Sequence, residues 1–294
     1  MSGTLIYPIS VVEVLPHKRN MGLLPVVMIH GGFHSGRSFL RTPDNREGWA
    51  HLFAKRGHRV LVPDWPGHGD SPGLEQLTEI GSTDVVHAMG ALLLEVGRCI
   101  LLAHSAGGPI AWSLAENHPD LVAAVIGVAP GSPANLLPAL AKEGNSVGVA
   151  STSQTTGHAI YAPQDQVVEV DHAFIKAYWA NSALFPVEHL PVYVKTIVPE
   201  SPRILNERFN IGGVGLYLRN PQLVAKRPIL IVTGEHDLRH PKHVDGELAD
   251  FLNANFCWLP DKGIRQNGHM LMLESNSHAI AAVLFEWLDS QRIE

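Results

Sequence analysis

Short apolar runs punctuate the chain at residues 25–29, 59–62, 100–103, 122–126 and 229–232. Runs that are apolar on both faces suit parallel strands covered by helices on each side. Between them, apolar positions recur at helical spacing over residues 48–56, 83–96 and 106–118, where Pro119 stops the last helix. A further strand region spans residues 6–15, broken by Pro8 and closed by a polar turn at 17–20. A last strand is expected at 255–259, followed by a polar loop and a final helix. Strands alternating with helices imply an α/β fold with a doubly wound, mostly parallel central sheet flanked by helices.

The alternation breaks between about residues 130 and 226. That stretch opens on Pro130-Gly-Ser-Pro133, has a Gly/Ser/Thr-rich middle (144–157), and holds helical candidates at 135–142, 171–182, 186–197 and 202–210. Its aromatic residues, among them Phe174, Tyr178, Trp179 and Tyr193, argue against a disordered linker. The expected division is a core domain of residues 1–130 and 226–294, interrupted by a mainly helical cap at 131–225.

The chain has 294 residues, 45% of them apolar, enough for one large core with an inserted subdomain. A net charge of −6 and the lack of a Lys/Arg run point away from nucleic acid and from anionic membrane surfaces. The N-terminal segment does not read as a signal peptide, and no run reaches transmembrane length. Cys99 and Cys257 fall on expected strands, where buried, reduced thiols are the default. A cytoplasmic protein is therefore expected, with a homodimer left open. Neither G-x-G-x-x-G nor G-x-x-x-x-G-K-[ST] occurs, and no cofactor is expected.

Chemistry enters at Ser105. The strand ending at Ala103 runs through His104 into Ser105-Ala-Gly-Gly108, where a helix begins. A sharp strand-to-helix turn strains the backbone at the serine and lifts its hydroxyl above the sheet. It requires small residues two positions to either side, here Ala103 and Gly107, an A-x-S-x-G variant of the nucleophile elbow. A serine hydroxyl is a poor nucleophile at neutral pH and needs an oriented base. Asp237, just past the strand at 229–233, is the expected acid, with Glu235 its rival. His269, in the loop after the last strand, is the expected base, singled out from seventeen histidines by that position. Acyl transfer also needs N–H donors for an oxyanion. Ala106 should supply one. The loop His30-Gly-Gly-Phe-His34 should supply the other, from Gly32 first and Phe33 second. Phe33 and Trp179 are the expected pocket residues, in a largely apolar site for a small ester. His236, His240 and His243 have a spacing that suggests metal ligands, but Pro241 disrupts a shared helical face and no metal is expected.

With these residues in place, the chain resembles the α/β-hydrolase superfamily. Residues 63–71, Pro-Asp-Trp-Pro-Gly-His-Gly-Asp-Ser, match that family's D-x-P-G-H-G-x-S loop, and the resemblance implies structural roles for Asp64 and His68. The His-Gly-Gly-Phe-His loop is similar to that of the small esterase and hydroxynitrile-lyase branch. A serine at 105 is unlike dehalogenases and epoxide hydrolases, which place Asp there. The resemblance implies a serine hydrolase cleaving a carboxylic ester. The alternatives are a lyase or carbon–carbon hydrolase using the same residues, and a non-catalytic ligand-binding member of the fold.

Overall fold

The computed structural model describes residues 7–16, 22–140, 161–291 and 293. Seven strands form one sheet: β1 (Val11–Val14), β2 (Val26–Ile29), β3 (Val60–Pro63), β4 (Cys99–His104), β5 (Val122–Val128), β6 (Ile229–Thr233) and β7 (Asn255–Trp258). Their spatial order is β1-β3-β2-β4-β5-β6-β7. Only β1 runs antiparallel to its neighbour. The α/β-hydrolase fold expected from the sequence is the fold observed.

The helices are α1 (Arg37–Leu40), α2 (Trp49–Lys55), α3 (Ser82–Val96), α4 (Gly107–Asn117), α5 (His172–Tyr178), α6 (Leu190–Val194), α7 (Pro202–Arg208), α8 (Pro221–Val224), α9 (Lys242–Leu252) and α10 (Ser277–Ser290). Side chains alternate across each strand, so consecutive residues serve two different cores. On one face Met28, Leu102, Ile126 and Val232 pack with Trp49 and Phe53 of α2 and with Ile280 and Leu284 of α10. On the other, Ile29, Leu101, Val125 and Ile231 pack with Met89 of α3, Ile110 of α4 and Leu248 of α9. Both faces are covered, which is why the strands read as unbroken apolar runs.

This topology places the site. The chain leaves β2 for β3 on one side and returns to β4 on the other, so β2 and β4 are neighbours, with Ile29 opposite Ala103. A crevice opens beyond the C-terminal ends of such strands. The loop after β2 and the serine after β4 are thereby brought together although some 70 residues apart in sequence.

Residues between β5 and β6 carry shorter helices than the sequence pattern suggests. In place of a helix over 135–142 there is one 3₁₀ turn, Ala134–Leu136, ahead of Pro138; residues 141–160 lie outside the described set. The helix expected over 171–182 ends at Tyr178, where the N–H groups of Trp179 and Ala180 both return to the carbonyl of Ile175. The one expected over 186–197 divides into a 3₁₀ turn (Val187–His189) and α6. Pro191 lacks the N–H to continue a helix and sits instead in the first turn of a new one. Asp171 and Ser201 cap α5 and α7 by accepting from backbone N–H groups.

Candidate active site

Ser105 follows β4 with φ +51°, a left-handed conformation that an L-residue adopts only under constraint. The constraint comes from both sides. The Ser105 N–H donates to Val128 O (3.2 Å), and its carbonyl accepts from Gly108 (2.8 Å) and Gly131 (2.7 Å). A Cβ at Gly107 would lie 2.6 Å from His30 O, so only glycine lets α4 begin this close to the loop after β2.

His269 Nε2 lies 3.0 Å from Ser105 Oγ, and His269 Nδ1 lies 2.8 Å from Asp237 Oδ2. Asp237 and His269 are buried, at 4% and 1% exposure. The other Asp237 oxygen accepts from the N–H groups of Arg239 (2.8 Å) and His240 (3.1 Å). Burial alone would raise this carboxyl. The charge and Nδ1–H of His269 outweigh it, helped by His240 and the Arg239 amide, and hold it below the usual carboxylate range. Burial lowers His269 from its ordinary value, and Asp237 only partly offsets this. The His236 N–H bonds to Asn267 O (2.7 Å), tying the acid's loop to the histidine's. Glu235 points elsewhere, to Gln266 N–H and Arg265 on the surface.

The loop after β2 packs onto the elbow: a Cβ on Gly32 would lie 3.6 Å from that of Ala106. Among the described residues no acceptor faces the N–H of Gly32 or of Ala106. The Phe33 N–H is already used, donating to Glu200 Oε2 (3.0 Å). This separates the two candidates from the loop: Gly32 is open and Phe33 is not. The rings of Phe33 and Trp179 lie 5.6 Å apart.

A family model described as the alpha/beta hydrolase family matches residues 26–283. The chain belongs to the alpha/beta hydrolase family. It is 22% identical over 323 aligned residues to a probable secreted lipase, phiG, of a fungal species (strain ATCC 74256), covering 91% of this chain and 82% of that protein. A shorter stretch of 99 residues is 34% identical to the sn-1-specific diacylglycerol lipase ABHD11 of Danio rerio, covering 33% of this chain and 29% of that one. Among solved structures, the methylesterase MES16 from Arabidopsis superposes with a TM-score of 0.65 at 17% identity, covering 92% of this chain and all of that one. Relatives in this family carry the names lipase and methylesterase.

Further side chains complete the surroundings of these residues. Glu200, 1% exposed, precedes α7. Its Oε2 accepts from Phe33, and its Oε1 accepts from Ser201 N–H (2.7 Å) and faces His68 Nε2 (3.0 Å). His68 Nδ1 faces the carbonyl of Pro66 (3.0 Å), so both ring nitrogens need protons. Burial disfavours that charge, but Glu200 more than compensates, and the His68 pKa is raised. The result is a buried imidazolium–carboxylate pair under the loop after β2. Asp64 supports the same loop, accepting from Gly36 (2.7 Å) and Asp70 (2.8 Å). Val198 N–H closes the arrangement by donating to Phe33 O (3.0 Å), which fixes Phe33 at φ +61°.

His34 Nδ1–H donates to Gly32 O (2.7 Å), and its Nε2 accepts from the Tyr193 hydroxyl (2.7 Å). Burial pushes His34 down to about 4, and its neighbour His269 adds to this, so it stays neutral. His240 donates from Nδ1 to Asp245 (3.0 Å), and its ring stacks on His269 at 5.4 Å and 12°. Of the histidines considered as metal ligands, His240 instead pairs with a carboxylate beside His269. Of the other histidines on the segment between β5 and β6, His158 lies outside the described residues, His172 is exposed, and His189 lies 4.0 Å from Glu188. Glu200 and Tyr193 gave no sequence signal for these contacts, since Phe33, His68 and His34 lie more than 130 positions away, and Asp245 sits five positions from His240 in no motif that marks the pair.

Proposed function

We propose that the protein is a serine hydrolase of carboxylic esters, working through an acyl-enzyme on Ser105. Ser105 Oγ attacks the ester carbonyl while His269 Nε2 takes its proton. Asp237 holds the Nδ1–H tautomer and stabilises the imidazolium that forms. The developing oxyanion takes the N–H groups of Gly32 and Ala106. His269 then returns the proton to the leaving alcohol, and a water activated by the same ring releases the acid. Residues 131–225 act as a cap that sets substrate choice, and one flank of the ester lies against Phe33 and Trp179.

The observation that supports this most is the hydrogen-bonded line Ser105–His269–Asp237 ending at a strained serine. It lies beside two N–H groups with no acceptor among the described residues. A non-catalytic binding member would have no need to maintain that strain. The test is turnover of p-nitrophenyl esters by the purified protein, with a fluorophosphonate as inhibitor. Hydrolysis abolished by stoichiometric labelling of Ser105 is expected. Cleavage of mandelonitrile in preference to every ester would replace this reading with a lyase.

A further inference from the structure

Two arginines stand next to this site. Arg208 ends α7 and Arg239 follows Asp237 by two residues. Among the described residues neither guanidinium has a hydrogen-bond or ion-pair partner. Both side chains are half-buried, and each presents five donors with no acceptor for them among the described residues. What they have instead is aromatic. Both cations lie over Phe209, Arg208 at 5.5 Å and Arg239 at 5.6 Å. Arg239 also lies 5.7 Å from Phe174 and 5.6 Å from Tyr178. The two positive charges therefore converge on a shared ring. Burial lowers Arg208 to about 10, and the repulsion of Arg239 adds to it. Two like charges drawn together without a partner mark a place built for an anion.

The pair is connected to the reacting atoms at both ends. A Cβ on Gly131 would lie 2.8 Å from Arg208 Nε, and the Gly131 N–H bonds to the carbonyl of Ser105 (2.7 Å). The Arg239 N–H bonds to Asp237. An aromatic wall runs from the oxyanion loop toward the pair: Phe33 to Trp179 at 5.6 Å, Trp179 to Phe174 at 5.2 Å, and Phe174 to Arg239. A ligand with its carbonyl at Ser105 and its chain along this wall ends at the guanidiniums. The carboxylates that act on the pair are Asp237, held by His269, and Asp245, held by His240 and Thr233. They partly offset the two cations.

We propose that Arg208 and Arg239 form an anion subsite that takes a carboxylate of the substrate, making the ester cleaved an acidic one, such as a hemi-ester of a dicarboxylic acid. This rests on the hydrolase reading above for the chemistry, but not for the binding. It revises the largely apolar pocket expected from sequence to a pocket apolar along one wall and cationic at its end.

The test has a kinetic and a binding arm. Mono-p-nitrophenyl glutarate and its neutral counterpart p-nitrophenyl pentanoate are compared on wild type, Arg208→Gln and Arg239→Gln. Wild type should favour the hemi-ester in kcat/KM by about tenfold or more, and each substitution should cut that ratio by about tenfold, mainly through KM. Arg208→Lys and Arg239→Lys keep the charge without the planar fork and should restore part of the preference. Binding of monomethyl glutarate to Ser105→Ala is followed by calorimetry, and adding either glutamine substitution should weaken it by about tenfold. Equal or better use of the neutral ester by wild type, or an unchanged ratio in both glutamine variants, overturns the subsite and leaves the hydrolase reading standing. Arginine-dependent binding of monomethyl glutarate without turnover of either ester supports the subsite and removes the hydrolase reading.

Discussion

Replacing Asp237 by Asn tests how the base is oriented, and the structure dictates the outcome. The Asp237 carboxylate accepts three hydrogen bonds: Oδ1 from the N–H groups of Arg239 and His240, and Oδ2 from His269 Nδ1–H. An asparagine has one oxygen to serve the same positions. The two backbone donors cannot be reversed, whereas an imidazole can change tautomer. The amide oxygen will therefore stay with the backbone and the NH₂ will face His269. The ring then accepts at Nδ1 and carries its proton on Nε2, which points at Ser105 Oγ. A base that already holds a proton there cannot take one from serine. The same change in a serine protease triad costs about 10⁴ in kcat, which corresponds to roughly 5.5 kcal/mol of transition-state stabilisation. The new tautomer keeps the existing donors paired but leaves one hydrogen of the introduced amide without an acceptor, so the unfolding free energy should fall by about 1–3 kcal/mol. The assay is p-nitrophenyl butyrate turnover near pH 8 beside urea unfolding, with Glu235→Gln as the control. More than about a tenth of wild-type turnover in Asp237→Asn, or a comparable loss in Glu235→Gln, would refute the orientation scheme.

Other expectations follow from the same geometry. Glu200→Gln confronts Phe33, Ser201 and His68 with an amide in place of a carboxylate. It should cost about 3 kcal/mol of stability and lower kcat by about tenfold or more, through a loosened oxyanion loop; wild-type denaturation and turnover in this variant would remove the pair from that role. The rate should fall on the acid side as His269 takes up a proton. Since its pKa is lowered mainly by burial, the midpoint should lie below 6.5, and a pH–rate profile with its acid limb at or above neutrality contradicts this. Burial pushes Glu274 up to about 7 from its ordinary 4.5, although Gly268 N–H and Asn267 donate to it. The folded state therefore holds a proton that the unfolded chain releases, and stability should decline as pH rises from about 4.5 to 7, by roughly 3 kcal/mol. Urea unfolding across that range should show a shallower decline in Glu274→Gln, and identical slopes would exclude Glu274 as the source.

The parts of this molecule that were legible in the sequence are those set by local rules. Strands buried on both faces appear as unbroken apolar runs, and a strand running into Ala-His-Ser-Ala-Gly allows few backbones. Asp237 and His269 could be found because topology puts active groups after strand ends, and His30-Gly-Gly-Phe-His34 because a glycine pair after a buried strand is unusual. What escaped is set by contacts between distant segments. Glu200 meets Phe33 across 167 positions and His68 across 132, and nothing near Glu200 announces either. Apolar spacing continues through Pro138 and Pro191 and so predicts longer helices there than form, because a proline lacks the N–H to carry the pattern on. Arg208 and Arg239 look like ordinary surface charges until the fold sets them over one phenylalanine.

If Ser105 carries the acyl group, mass spectrometry of protein quenched with acid during turnover will find it there. Incubated with p-nitrophenyl butyrate and stopped within the first turnovers, the wild-type protein should gain the mass of one butyryl group, recovered on the peptide containing Ser105. Ser105→Ala should gain none and lose about four decades of kcat. A butyryl adduct on any other residue, or turnover by Ser105→Ala near the wild-type rate, would contradict it.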